Sequence, residues 1–224
     1  MASRSDDLPL LEAATAEDIP ILVSVLVSSQ FSEPTMAFFF PSWPSTVAMN
    51  LFYTQRLSQR LQEPNCEVLK ITYGGEIVGM GCLILKDWEN MEQAVSGEGK
   101  PTEGYNTEFA TALGECFRRT EEIMSGRKSF WLNSCATLPS HQGKGIGSML
   151  IRYCIDKADE AGLPTHLNSF PKARNLYARF GFIEKVTFDL DLNEFGMRNR
   201  GYGIYRSYGM VREPIAKKSE MIVG

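Results

Sequence analysis

A chain of 224 residues, 43% hydrophobic and 22% charged, is long enough to bury a core without metal or disulfide support and has the balance of a globular protein. Its formal charge of -4 and pI near 5.4 argue against affinity built on neutralising nucleic-acid phosphates, and no apolar run is long enough to span a bilayer. Cys66, Cys82, Cys116, Cys135 and Cys154 are an odd, scattered set, and Met1 to Leu10 lacks the apolar stretch of a secretory leader, so the expectation is reduced thiols in the cytoplasm, no metal, and neither nucleic acid nor membrane as partner.

A polar tail over residues 1–7 leads into an opening strand at Leu8 to Ala14. Thr15 and Asp18 then form a capping box, and Ile19, Leu22, Val23, Leu26 and Val27 follow at helical spacing, which predicts a helix running to about Gln30. Phe31 to Ser45 holds three prolines and the cluster Phe38, Phe39, Phe40 and Trp43, and reads as a loop with an aromatic centre. A second helix is expected from about Thr46 to Leu61. The runs Glu67 to Tyr73 and Ile77 to Lys86 flank Gly74 and Gly75 and predict an antiparallel hairpin.

Residues 87–128 read as an insertion carrying one amphipathic helix, traced by Phe109, Ala112, Leu113, Cys116, Thr120 and Ile123. Ser129 to Leu138 is a further strand, stopped at Pro139. Ile146, Met149, Leu150, Tyr153, Cys154 and Ala161 mark one face of a helix that Gly162 and Pro164 end. Thr165 to Phe170 reads as a short strand and Pro171 to Phe180 as a short helix closed by Gly181. Val186, Phe188, Leu190 and Leu192 alternate as a strand, and Tyr202 to Glu213 is the last one. Helices interleaved with strands imply an α/β fold, a mixed central sheet of about seven strands covered on both faces. One domain over residues 1–224 is expected, with residues 205–224 as closing strand and tail.

In Gln142-Gly143-Lys144-Gly145-Ile146-Gly147 the chain passes from strand to helix through three glycines. Glycine admits positive φ and lets backbone N–H groups approach a ligand, and amides at a helix start, aided by its dipole, bind anions. The spacing lacks the Lys-Ser/Thr end of a P-loop and is not the Gly-x-Gly-x-x-Gly of a Rossmann turn, which disfavours nucleoside triphosphates and NAD. A pyrophosphate fits; so does a turn that only caps a helix.

A second motif narrows this choice. Leu138 to Gly147 resembles the acyl-CoA signature of the GNAT superfamily of N-acetyltransferases, Gln/Arg-x-x-Gly-x-Gly/Ala, matched by Gln142, Gly145 and Gly147. Ala173, Leu176, Tyr177, Gly181 and Phe182 match the family's downstream Ala-x-x-Leu-Tyr-x-x-x-Gly-Phe. The resemblance runs from about Cys66 to Leu192 and more loosely over the two N-terminal helices. It departs at the insertion between the third and fourth strands, and at Phe170, where many relatives place Asn.

The resemblance implies a single GNAT-like domain and transfer of acetyl from acetyl-CoA to a primary amine by direct attack on the thioester. It implies a fourth strand that bulges and splays from the fifth, with Cys135, Ala136 and Thr137 offering backbone groups to the donor. Gln142, Gly143, Lys144, Gly145, Ile146, Gly147 and Ser148 would hold its phosphates, and Tyr177 would protonate the departing thiolate. No base stands out: Glu115, Asn168 and Asp189 are candidates, while His141 and His166 read as structural or solvated. Cys135 has no His or acidic partner at an interpretable spacing and reads as a packing residue.

The aromatic cluster reads either as an acceptor wall for a small apolar or aromatic amine, with Trp88, Tyr105 and the inserted helix as a lid, or as the seal of a core or dimer contact. A protein or peptide N-acetyltransferase and a non-catalytic acyl-CoA-binding module carry the same motifs. A monomer or homodimer is expected.

Overall fold

The computed structural model describes residues 8–87, 104–195 and 201–215. The N-terminal tail, Trp88 and the first part of the insertion, and the segment after residue 215 lie outside them. Seven strands form one mixed sheet in the order β1-β2-β3-β4-β5-β7-β6: β1 Leu10–Ala13, β2 Cys66–Tyr73, β3 Glu76–Lys86, β4 Ser129–Thr137, β5 Thr165–Ser169, β6 Ile183–Asp191 and β7 Ile204–Arg212. All neighbours are antiparallel except β4 and β5. Gly74 and Gly75, at φ 59° and 80°, close the β2–β3 hairpin with the two left-handed residues that a tight turn needs.

Helices α1 Ile19–Gln30 and α3 Val47–Arg60 cover β2 to β4 on one face, with Leu22, Val25, Leu26, Met49 and Leu57 buried against Val68, Met80 and Ala136. The expected capping box is present, and Asp18 Oδ2 accepts from Thr15 N at 2.8 Å. Lys70 Nζ lies 2.9 Å from the same carboxylate oxygen and ties the start of α1 to β2. The aromatic loop contains a helical turn that periodicity did not reveal, α2 Met36–Phe39.

Helix α4, Thr107–Ile123, is the inserted helix, and its stripe Phe109, Leu113, Cys116 and Thr120 is buried. It packs on β5, β6 and β7 beside α2. Gly209 in β7 permits this approach, since a Cβ there would lie 2.3 Å from Thr120 Oγ1 and 2.6 Å from Val186 Cγ1. Asn168 Nδ2 in β5 donates to Thr120 Oγ1 at 2.9 Å and to the Cys116 carbonyl at 3.3 Å. Burying a side chain such as Phe109 or Leu113 contributes about 1.5–3 kcal/mol, so α4 is a layer of the core. The expectation of a lid is corrected on that ground.

On the other face lie α5, Ile146–Ala161, and α6, Arg174–Ala178. Gly79 and Gly81 in β3 let α5 come close to the sheet: a Cβ at Gly79 would stand 2.6 Å from Ile146 Cγ2, and one at Gly81 3.0 Å from Leu150 Cδ2. Two glycines spaced by two on a strand therefore receive two side chains spaced by four on a helix. Arg212 holds Asp159 of α5 with a bidentate pair at 2.7 and 2.8 Å and donates to the Phe180 carbonyl at 3.1 Å, which fixes α5 and the end of α6 to β7. No described helix is long and apolar enough to cross a membrane.

Candidate active site

Parallel pairing of β4 with β5 is confined to Phe130 with Thr165 and Trp131 with His166. Beyond Trp131 the strands part. On its other side β4 carries a bulge, because Cys82 faces Ser134 and Leu83 faces Leu132 while Asn133 is skipped. A bulge increases local twist and turns a strand away from its neighbour. The result is a wedge whose β4 side, from Leu132 to Thr137, presents backbone groups to no strand partner. Cys135 packs toward α5 and Ala136 toward α1, so successive side chains of this stretch point to opposite faces of the sheet.

The glycine loop lies at the wide end of the wedge. Gly143 and Gly145 have φ of 76° and 88°, and a Cβ at either would meet nothing within 4 Å. Gly147 has no such φ; a Cβ there would touch Thr137 Oγ1 at 3.7 Å and Leu176 Cδ2 at 3.8 Å. No side chain caps the start of α5, and the first N–H groups of a helix have no partner within it. The positive end of α5 thus has no side-chain cap and lies next to the open space at Gly143 and Gly145, an arrangement suited to a pyrophosphate. Gln142 is turned inward, its Nε2 donating to the Thr137 carbonyl at 3.2 Å, and so pins the loop to the end of β4. Lys144 is exposed.

The left-handed conformation at Gly145 makes a measurable prediction. Gly145→Ala is expected to lose about 1–2 kcal/mol in urea unfolding from backbone strain. It should also weaken binding of a pyrophosphate-bearing ligand roughly 10-fold in a titration by misaiming one charge-assisted amide.

Tyr177 is buried beside Cys135 and stands edge-on to Phe182 with ring centroids 5.8 Å apart. Burial, with the neighbouring Cys135, pushes its phenol well above the usual value, so it keeps its proton. Burial likewise pushes the Cys135 thiol up to about 12. A neutral thiol without an imidazole or carboxylate partner is a poor nucleophile.

The opposite face holds a carboxylate that sequence reasoning missed. Glu33, in the turn between α1 and α2, is only 6% exposed. Lys172 Nζ, just past the end of β5, lies 2.5 Å from Glu33 Oε1 and donates to the Ser29 carbonyl at the end of α1 at 3.3 Å. Tyr205 Oη in β7 donates to Glu33 Oε2 at 3.4 Å, and burial together with this carboxylate pushes that phenol up. Only Glu33-Pro34 inside an aromatic loop hints at it in the sequence.

The earlier base candidates stand elsewhere. Arg118 and Arg119 on the solvent face of α4 hold the Glu115 carboxyl at about 2. Asp189 pairs with Arg206 at 2.6 Å on the exposed side of β6, and Asn168 anchors α4. His166 is fully buried, stacked parallel on Trp131 and lowered to about 3 chiefly by burial, hence neutral. His141 meets Tyr73 edge-on.

The aromatic cluster divides. Phe38 and Phe40 are core residues: Phe38 stacks on Phe109 of α4 at 5.4 Å, and Phe40 meets Phe52 at 5.8 Å. Phe39 stacks on Tyr105 at 5.5 Å, and the exposed Trp43 lies 5.6 Å from Phe31. These four rings do not form one wall. A shallow apolar cleft instead lies between α4, β5 and β7, lined by Leu113, Phe117, Phe170 and Ser207 among others. Its neighbour in β7, Tyr205, is the residue that reaches Glu33. A second cleft opens at the β4 bulge under α1 and α3 and carries Arg56 and Arg60. No cluster of three or more potential metal ligands occurs among the described residues.

Residues 33–182 match the sequence model of the Acetyltransferase (GNAT) family. Solved structures of similar fold include histone acetyltransferase HPA2 and related acetyltransferase from Corynebacterium glutamicum, 19% identical with a TM-score of 0.63 over 94% of this chain and 98% of that one. The polyamine N-acetyltransferase of Drosophila melanogaster, 14% identical, also superposes with a TM-score of 0.63 over 92% and 100% of the two chains. The ribosomal-protein-S18-alanine N-acetyltransferase of Escherichia coli, 14% identical, gives 0.51 over 97% and 100%.

Proposed function

The chain belongs to the acetyltransferase (GNAT) family, and from that premise we propose that it moves acetyl from acetyl-CoA to the primary amine of a small molecule with an apolar body. Acetyl-CoA supplies an activated acetyl thioester. Cys135, Ala136 and Thr137 would present backbone groups to its pantetheine arm and acyl carbonyl, and the loop from Gln142 to Ser148 would hold its pyrophosphate. Open space beside Gly143 and Gly145, and the uncapped start of α5, support that fit.

Acid and base then sit on opposite faces of the sheet. Glu33 takes the proton of the incoming ammonium on the α1 and α4 side, and backbone N–H groups of β4 offset the charge that develops on the acyl oxygen. Tyr177 gives its proton to the departing sulfur on the α5 side. Attack would then come from one face of the sheet and departure go toward the other.

One observation carries the choice of acceptor: a buried carboxylate whose partner is an ammonium, beside an apolar cleft. The cleft at the β4 bulge, with two guanidinium groups, repels an ammonium. Among proteins of similar fold, those named for histone or ribosomal-protein substrates and the one named for a polyamine span both acceptor classes, so the local charge is the better guide. Incubation with acetyl-CoA and a panel of amines, following free thiol, should show turnover with small apolar amines. Reaction only with peptides bearing lysine or free N-termini would overturn the proposal.

A further inference from the structure

We propose that Lys172 is itself an acceptor, so that without an external amine the protein acetylates its own Lys172 Nζ. This inference rests on Glu33 acting as the base. A base that deprotonates the attacking amine needs that amine within hydrogen-bond reach, and the group at that position is the Lys172 ammonium, 2.5 Å from Glu33 Oε1.

Its setting differs from that of the other paired lysines. The carboxylates that hold Lys70, Lys86, Lys128 and Lys157 are 13% to 39% exposed and lie on other elements, whereas Glu33 is 6% exposed. Lys172 follows β5, one side of the wedge, by three residues. Its side chain is 50% exposed on a flexible stem and is held at its tip by Glu33 and the Ser29 carbonyl.

In the step, the Lys172 ammonium gives one proton to Glu33 and its nitrogen lone pair attacks the thioester carbonyl carbon. The C–S bond breaks as the C–N bond persists, sulfur leaves as thiolate and takes a proton from Tyr177, the nitrogen's second proton restores the Tyr177 phenol, and Glu33 releases its proton to solvent. The net change converts one lysine ammonium and one acetyl thioester into Nε-acetyl-lysine, a thiol and one proton. The neutral product no longer pairs with Glu33, which frees this carboxylate for an external ammonium.

The test is to incubate the full chain with acetyl-CoA alone and map acetylation by mass spectrometry. One acetyl group is expected at Lys172, forming at least about 10-fold faster than at any other lysine. It should be absent in Lys172→Arg, which keeps the cation beside Glu33, and in Glu33→Gln, with circular dichroism confirming that both fold. Turnover of an external amine with Lys172 unmodified overturns this inference alone, as does acetylation spread over surface lysines and unchanged in Glu33→Gln. Absence of transfer to any amine, internal or external, overturns the underlying reading of the site.

Discussion

Glu33→Gln is expected to lower kcat/KM for amine acetylation by roughly 10²- to 10⁴-fold, the range for loss of a positioned general base. The substitution keeps size and an acceptor oxygen for Tyr205 Oη but removes the charge that receives the proton. Lys172, half exposed, remains solvated when its partner is neutral. Affinity for acetyl-CoA should be unchanged, because the glycine loop is carried by α5 on the opposite face of the sheet. Retention of activity within about 3-fold would reject Glu33 as base.

Tyr177→Phe is expected to reduce kcat by about 10²-fold with little change in the KM for acetyl-CoA, the pattern of a group acting only as the thiolate departs. The loss should sit at the low end for an acid catalyst, since a thiolate with a pKa near 8.5 leaves more readily than an alkoxide. The sign of the pH dependence follows from burial. A phenol raised above its ordinary value of about 10 still holds its proton at pH 10, so wild-type kcat should show no basic limb from Tyr177 below that pH. A variant that binds CoA and turns over at the wild-type rate would leave Tyr177 a packing residue beside Phe182.

Much of the candidate site's local geometry was legible in the chain because it is local. Gly143 and Gly145 are adjacent to the helix they introduce, and their positive φ is a property of single residues that no distant contact has to supply. The hairpin at Gly74 and Gly75 was legible for the same reason. Leu176, Tyr177 and Phe182 fall on one short helix and turn, where spacing alone sets the shared face.

Other features depended on partners far along the chain. An aromatic run such as Phe38 to Phe40 lines a pocket or fills a core with equal ease, and the presence of Phe109 on the inserted helix decided for the core at Phe38. Glu115 and Glu33 are both single carboxylates in the sequence. One faces solvent among arginines, the other is buried against Lys172 and Tyr205.

By itself, then, the sequence determined the mixed α/β order, the glycine loop and the helix bearing Tyr177, since backbone conformation and side-chain periodicity are encoded within a few residues. Tertiary structure alone decided the role of α4 as a core layer and the place of Glu33. Those depend on burial and on charges brought together by folding, and burial is a property of the whole chain.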